Sequence, residues 1–257
     1  ALPICCGTPT RVTQFYKVMS NLSARYKIGL TATPHRADGL ERSMFALLGD
    51  IIHEVSREEV EHTTCPIKVQ RIETGWTPDY DCILMSDGTI DYNKVIDNMI
   101  HDEGRFQAVM NAITELFHGG ATLVLANRVE YLQRLCDAYN RGQVGEALCL
   151  SGASQSKRAK EERKRALEAL NNGELDCIFA SYKLAAEGLD CPNLKYVVLV
   201  TPEKDPSLIQ QATGRVGRKA EGKEWGIVID FIDDFGMYKG WAKKRRSVYK
   251  KLGYDII

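Results

Sequence analysis

The sequence predicts a three-layer α/β fold built on a mainly parallel sheet, and two observations predict it. Short, nearly all-apolar runs recur beyond residue 120: Thr122–Ala126 (TLVLA), Ala147–Leu150, Asp176–Ala180, Tyr196–Val200 and Gly226–Phe231 (GIVIDF). Stretches with helical hydrophobic period separate them. A strand that is apolar on both faces must be covered on both faces, and alternation with helices supplies that cover through parallel crossovers. Right-handed crossovers place the functional loops at the carboxyl ends of the strands.

Taken in order, Lys27–Ala32 (KIGLTA) is an apolar run stopped by Thr33-Pro34 and reads as a buried strand leading into a loop. A helix is expected around Leu40–Leu48, ended by Gly49. Ile51–Val55 and Ile67–Ile72 read as short strands, and the polar stretch from Ser56 to Thr64 between them as a domain boundary. Ser86-Asp87-Gly88 is a candidate hairpin turn in an otherwise unpatterned region, 73–104. Phe106, Val109, Met110, Ile113, Leu116 and Phe117 then recur at helical spacing, with Gly119-Gly120 as the stop. Val129, Leu132, Cys136 and Tyr139 mark the next helix, and Lys157–Leu170 a charged one. A further helix starts near Ser207, and a basic helix closes the chain.

Composition sets the limits. With 257 residues, 44% hydrophobic and 26% charged, the chain has the makeup of an ordinary globular protein of one large or two smaller domains. Lys plus Arg and Asp plus Glu both count 34, so a nucleic acid would be held by a local basic stripe and not by net charge. The eight cysteines form no CxxC pair and the five histidines are scattered, which excludes the usual zinc spacings. Cys136, Cys149 and Cys177 sit in apolar stretches and read as buried thiols. No signal peptide is expected, and no apolar run approaches the ~20 residues of a membrane span. A reducing, cytoplasmic compartment is expected.

The strongest chemical signal is Gln211-Ala-Thr-Gly214-Arg215-Val-Gly217-Arg218. On a helix, Gln211, Arg215 and Arg218 would share one face. Gly214 and Gly217 would each cost about 1 kcal/mol inside that helix, so they mark a close backbone approach or a helix end. Two arginines on such an element suit a triphosphate whose charge grows during transfer. An amphipathic helix with solvated arginines would leave the glycines unexplained.

This segment resembles motif VI of superfamily 2 helicases, QxxGRxxR, and the resemblance extends along most of the chain. Leu30-Thr-Ala-Thr33-Pro34-His-Arg36-Ala-Asp38-Gly39 is similar to motif III in its TAT-P-x-R-x-D-G form, typical of the branch holding XPB-like and phage helicases. Leu123-Val-Leu-Ala-Asn127-Arg128 resembles motif IV, and the segment from Ala180 to Pro192 resembles motif V. The resemblance implies two RecA-like domains with ATP in the cleft between them. Residues 1–64 would be the tail end of the first and 65–257 the second. It implies catalytic roles for Arg215 and Arg218 at the γ-phosphate, with Arg218 favoured as the arginine finger. Gly188, Asp190 and Gln211 would lie at the nucleotide, Asp190 at the ribose. Asn127, Arg128 and Ser181 would touch the nucleic-acid backbone, and Thr31 and Thr33 would couple ATP state to domain closure.

No GxxxxGK[ST] occurs in the sequence, and no DExH pair precedes motif III. The chain is therefore expected to be a fragment beginning just after the DExH box and inactive alone. ATP and Mg²⁺ belong to the full-length parent, with no cofactor held tightly here and no protein metal site. The partners expected are nucleic acid, DNA above RNA, and the missing first RecA-like domain, with no membrane. Two other readings compete: the motor part of a restriction enzyme, and a non-catalytic nucleic-acid-binding module that kept the fold. The latter has no use for a γ-phosphate sensor.

Overall fold

A computed structural model describes residues 16–31, 41–56, 59, 61–116, 120–150, 156–186 and 189–257. The chain divides into two units, Ala1–Val60 and Glu61–Ile257. In the first, residues 16–21 are helical, and α1 (Glu41–Leu48) stops where the Gly49 N–H reaches back to the Phe45 carbonyl at 2.8 Å. The two strands expected in this unit do not form among its described residues. Residues 27–31 and 51–55 have no regular structure, and Ile28, Leu30 and Ile52 are 80%, 74% and 94% exposed. A strand needs a neighbour to satisfy its backbone groups, and the described part of this unit contains no other strand.

The second unit is a sheet covered on two faces. Its elements are β1 (Ile67–Glu73), α2 (Tyr80–Ile83), α3 (Tyr92–His101), α4 (Glu103–Glu115), β2 (Thr122–Ala126), α5 (Val129–Arg141) and β3 (Ala147–Leu150). There follow α6 (Lys157–Asn172), β4 (Cys177–Ser181), α7 (Tyr182–Ala186), β5 (Tyr196–Leu199) and α8 (Pro206–Gly214). A single 3₁₀ turn (Arg215–Gly217), β6 (Gly226–Ile232), α9 (Gly236–Lys251) and β7 (Asp255–Ile256) complete it. The strand order is β3-β4-β2-β5-β6-β1-β7, parallel throughout. One strand serves two cores: Val124 and Ala126 pack with Phe106, Val109 and Leu132, whereas Leu123 and Leu125 pack with Leu170, Tyr182 and Ile209. That alternation is what an all-apolar central strand provides.

Differences from expectation are local. Asp91 caps α3 by accepting the Asn93 and Lys94 N–H groups, so a helix forms in the region that shows no clear pattern. Asp102 caps α4, the helix expected from Phe106 onward, by accepting the Arg105 N–H. The Ser86-Asp87-Gly88 turn does form, between bridged Leu84 and Ile90. Helix α4 closes at Leu116, and Phe117–Gly119 lie outside the described residues.

Two buried ion pairs pin the carboxyl end of the sheet. Arg105, 1% exposed, donates to both Asp233 oxygens at 2.7 and 3.0 Å, to the Val200 carbonyl at 2.7 Å and to the Tyr131 hydroxyl at 3.2 Å. Burial alone would pull the Arg105 guanidinium down, but the Asp233 carboxylate outweighs it and holds it above its usual range. Arg245 donates to Asp230 at 2.8 and 2.7 Å, to Phe231 O at 3.0 Å and to Glu203 O at 3.2 Å. Removing one partner strands a buried charge, whereas replacing both with apolar groups does not. Arg105→Met is therefore expected to cost about 3–5 kcal/mol in urea unfolding, and Arg105→Met with Asp233→Leu to recover most of it. A double variant as unstable as the single one would contradict this.

Candidate nucleotide and nucleic-acid sites

Helix α8 starts at the carboxyl edge of the sheet and carries the arginine segment away from it. Asp205 caps it by accepting the Ser207 N–H at 2.8 Å, and Pro206 sits in its first turn. Nine residues at about 1.5 Å each bring the chain back along the sheet. The arginines consequently lie at the amino edge, beside the starts of β1 and β6, and not at the carboxyl ends where functional loops were expected.

The helix ends at Gly214, so Gln211, Arg215 and Arg218 do not share one continuous helical face. Arg215–Gly217 is the 3₁₀ turn, and Arg218 is extended (φ −70°, ψ 135°). The cause is tertiary pairing. Thr64 bridges antiparallel to Arg218, the Cys65 N–H donates to Gly217 O at 2.8 Å, and the Lys219 N–H donates to Thr63 O at 3.4 Å. Close approach also fixes two glycines. A Cβ on Gly217 would stand 2.9 Å from Ile67 Cδ1, and one on Gly226 would stand 2.3 Å from Val216 O. Gly214 has open space and marks the helix end instead.

At this edge Arg215 Nη1 donates to the Leu189 carbonyl, and Arg218 Nη1 pairs with Asp190 Oδ1. Burial pushes the Arg215 guanidinium down to about 10; the Arg218 charge adds to that and Asp190 opposes it. The Arg218 and Asp190 side chains are 44% and 77% exposed, so this pair is open to a competing anion. Gln211 is half-buried on α8. Gly188, like Thr33 and the rest of the motif III segment from Ala32 to Gly39, lies outside the described residues; Thr31 is exposed and in no regular element. Gly217-x₄-Gly222-Lys223 comes within one residue of a phosphate-binding loop, but Glu224 stands where Ser or Thr is required, and strand β6 follows where a helix is required. Lys223 is used locally, donating to Arg218 O at 2.8 Å and Pro192 O at 3.2 Å.

The three residues read as nucleic-acid contacts gather at the opposite, carboxyl edge. Asn127 follows β2 and Ser181 ends β4, in register through the Ala126–Ser181 pair. Asn127 Nδ2 donates to Glu203 Oε2 at 3.2 Å and to Pro202 O at 3.4 Å, while its N–H donates to Thr201 Oγ1 at 2.9 Å. Arg128 donates to Asn93 Oδ1 at 3.1 Å and lies 3.7 Å from Asp97. Ser181 Oγ accepts the Leu184 N–H at 3.2 Å and so starts α7.

Glu203 is the residue the sequence pattern hides. It is 9% exposed, and its carboxylate also accepts the N–H groups of Lys204 (2.7 Å) and Asp205 (2.9 Å). Nothing in a polar stretch between two elements marks one acid as buried. Asp230 did leave a signal: an acid inside the apolar run GIVIDF has to be paired. Its partner Arg245 is therefore engaged and does not add to the basic surface of the closing helix. Lys239 is engaged too, 2.5 Å from Asp234, although the sequence shows the cluster without nearby acids.

Residues 104–220 match the family described as the helicase conserved C-terminal domain. A mimivirus protein of Acanthamoeba polyphaga, named for an ATP-dependent RNA helicase, is 29% identical over 94% of this chain and 45% of its own length. A helicase-named protein of Sulfolobus islandicus filamentous virus is 28% identical over 97% and 45%. The DNA 3'-5' helicase XPB of Kineococcus radiotolerans is 24% identical over 72% and 31%. The chain thus spans less than half the length of these curated relatives. Among solved structures, S. cerevisiae Dbp5 bound to RNA and ADP BeF3 matches in fold at TM-score 0.60 and 17% identity, over 95% of this chain and 55% of that one. A fragment of an HsdR subunit of a type I restriction enzyme from Vibrio vulnificus matches at 0.62 and 23%, over 85% and 42%. Both carry the same mostly parallel, RecA-like sheet. The chain thus resembles the C-terminal portion of superfamily 2 helicases, with the helicase conserved C-terminal domain matched over residues 104–220.

Proposed function

We propose that this chain is the arginine-bearing half of an ATP-driven DNA motor. The observation that carries the reading is the sorting of its residues. Arg215, Arg218 and Asp190 meet at one edge of the sheet, and Asn127, Arg128 and Ser181 at the other. One domain then addresses a nucleotide and a nucleic-acid backbone from two sites at opposite edges of its sheet. Residues 1–64 are in this reading the tail of the first RecA-like domain and 65–257 the second. DNA is favoured over RNA by the TAT-P-x-R-x-D-G form of motif III.

Arg218 leaves Asp190 for the γ-phosphate, where a planar guanidinium stabilises charge spreading over the transferring phosphoryl group. Asp190, released, becomes an acceptor for the ribose hydroxyls. Two guanidiniums and one carboxylate already tied to Arg218 do not fit a divalent cation. Magnesium is in this reading held by the half with the phosphate-binding loop.

In the full-length protein, Arg218→Ala is expected to lower kcat by about 10³–10⁵. Nucleotide affinity should stay within about tenfold, and Arg218→Lys should rescue little. An unchanged kcat would make Arg218 a surface residue and move the catalytic role to Arg215. The chain alone is expected to show no DNA-stimulated phosphate release. Turnover abolished by Arg218→Ala in that assay would overturn the two-half account. Its DNA binding, followed by anisotropy across salt concentrations, should be weak and salt-sensitive. Tight, salt-insensitive affinity would contradict backbone contact.

A further inference from the structure

We propose that the exposed face of α9 is a second phosphate-backbone contact, extending the nucleic-acid track beyond Asn127, Arg128 and Ser181. The inference rests on the nucleic-acid reading above but on different residues. Helix α9 holds seven Lys and Arg and no acid, leaving 27 bases against 34 acids elsewhere in a chain of zero net charge. Arg245 is spent on Asp230 and Lys239 on Asp234. Lys243, Lys244, Arg246, Lys250 and Lys251 are exposed, with no acid partner among the described residues.

The arrangement is ordered. At about 100° per residue, Lys243, Arg246 and Lys250 fall within about 60° of one another, a cationic row roughly 10 Å long, with the ion-paired Lys239 in line with it. Tyr238, Ala242, Arg245 and Tyr249 take the buried side. Helix α6 is the internal comparison. It too is base-rich, but Glu161, Glu162 and Glu168 pair with Arg165, Arg158 and Lys164, as a solvated face does. Five of the seven bases on α9 lack that neutralisation, so the helix presents a positive field that a polyanion would complement.

Its position points to the polyanion. Arg245 reaches from α9 to Glu203 O, and the Glu203 carboxylate holds Asn127. Lys204, on the same loop, lies over the Trp241 ring of α9 at 5.6 Å from its centroid. The basic helix is thereby fixed to the loop that positions the motif IV asparagine, and a strand leaving Asn127 has a cationic surface next to it.

The test is anisotropy titration of the chain with a labelled 20-nucleotide DNA, single-stranded and duplex, across salt concentrations. Lys243→Gln with Arg246→Gln and Lys250→Gln should weaken binding at least about tenfold and flatten the log–log salt slope by about two to three. Removing the same number of charges from α6 (Lys157→Gln, Arg158→Gln, Lys160→Gln) should leave both unchanged. An equal loss from both helices would overturn the proposal, because net charge alone would then set affinity. If Asn127→Ala with Ser181→Ala abolishes binding and the α9 variant binds like the native chain, the nucleic-acid reading stands and this one falls. Native binding to phosphatidylserine vesicles but not to DNA would overturn it in favour of a lipid surface. An unchanged melting temperature of each variant confirms that loss of binding is not loss of fold.

Discussion

The carboxylate of Asp230 sits fully buried in the middle of β6 and has to be neutralised, and the way it is neutralised organises much of the domain. Arg245 comes to it from α9 and, with its remaining donors, takes the carbonyls of Phe231 and Glu203. Arg71 of β1 stands 3.9 Å away on the other side. One buried acid therefore ties two adjacent strands, the closing helix and the loop after β5. That loop then turns the Glu203 side chain onto Asn127. A candidate nucleic-acid contact is thus held by a chain of buried polar groups that starts on a different strand. Arg105 and Asp233 repeat the device one element away, joining α4, β6 and the end of β5.

An all-parallel sheet adds a second constraint. Every strand ends at the same edge, so loops after strands collect there, and segments that follow returning helices collect at the other. Asn127 and Ser181 belong to the first group and Arg215, Arg218 and Asp190 to the second. The separation follows from topology, because α8 must run back along the sheet before β6 can begin. What topology leaves open is the placement of Arg218 itself. Residues 63–65 settle that by pairing with residues 217–219, and Gly217 allows it because no Cβ stands between the turn and Ile67.

Much of this fold is legible in the residues, for a physical reason. Strands buried on both faces must be apolar throughout, so Thr122–Ala126 appears in the sequence with the bounds it has in the structure, and the partly exposed edge strand Ala147–Leu150 is apolar enough to do the same. Where an element depends on something other than its own pattern, the reading stops. Residues 27–31 and 51–55 carry strand-like apolar runs but have no neighbouring strand among the described residues. Helix α3 is only ten residues long, with a buried stripe of Val95, Met99 and Ile100, and its start is set by the Asp91 cap. The arginine segment has the spacing of one helical face, but Gly214 and Gly217 disfavour a continuous helix, and tertiary pairing sets its course after Gly214. The chemistry of the candidate site was carried by residue type, its geometry by contacts between residues more than 150 positions apart, such as Cys65 and Val216.

The central claim is that this domain meets the nucleotide in its transition state, through Arg218, more than in its ground state. Equilibrium binding to the full-length protein measures that difference without turnover, using ADP with aluminium fluoride against a non-hydrolysable ATP analogue. The account predicts that Arg218→Ala weakens the aluminium fluoride complex by at least about 100-fold while changing ATP-analogue affinity by less than about tenfold. Equal losses for the two ligands, or no loss for either, would contradict it.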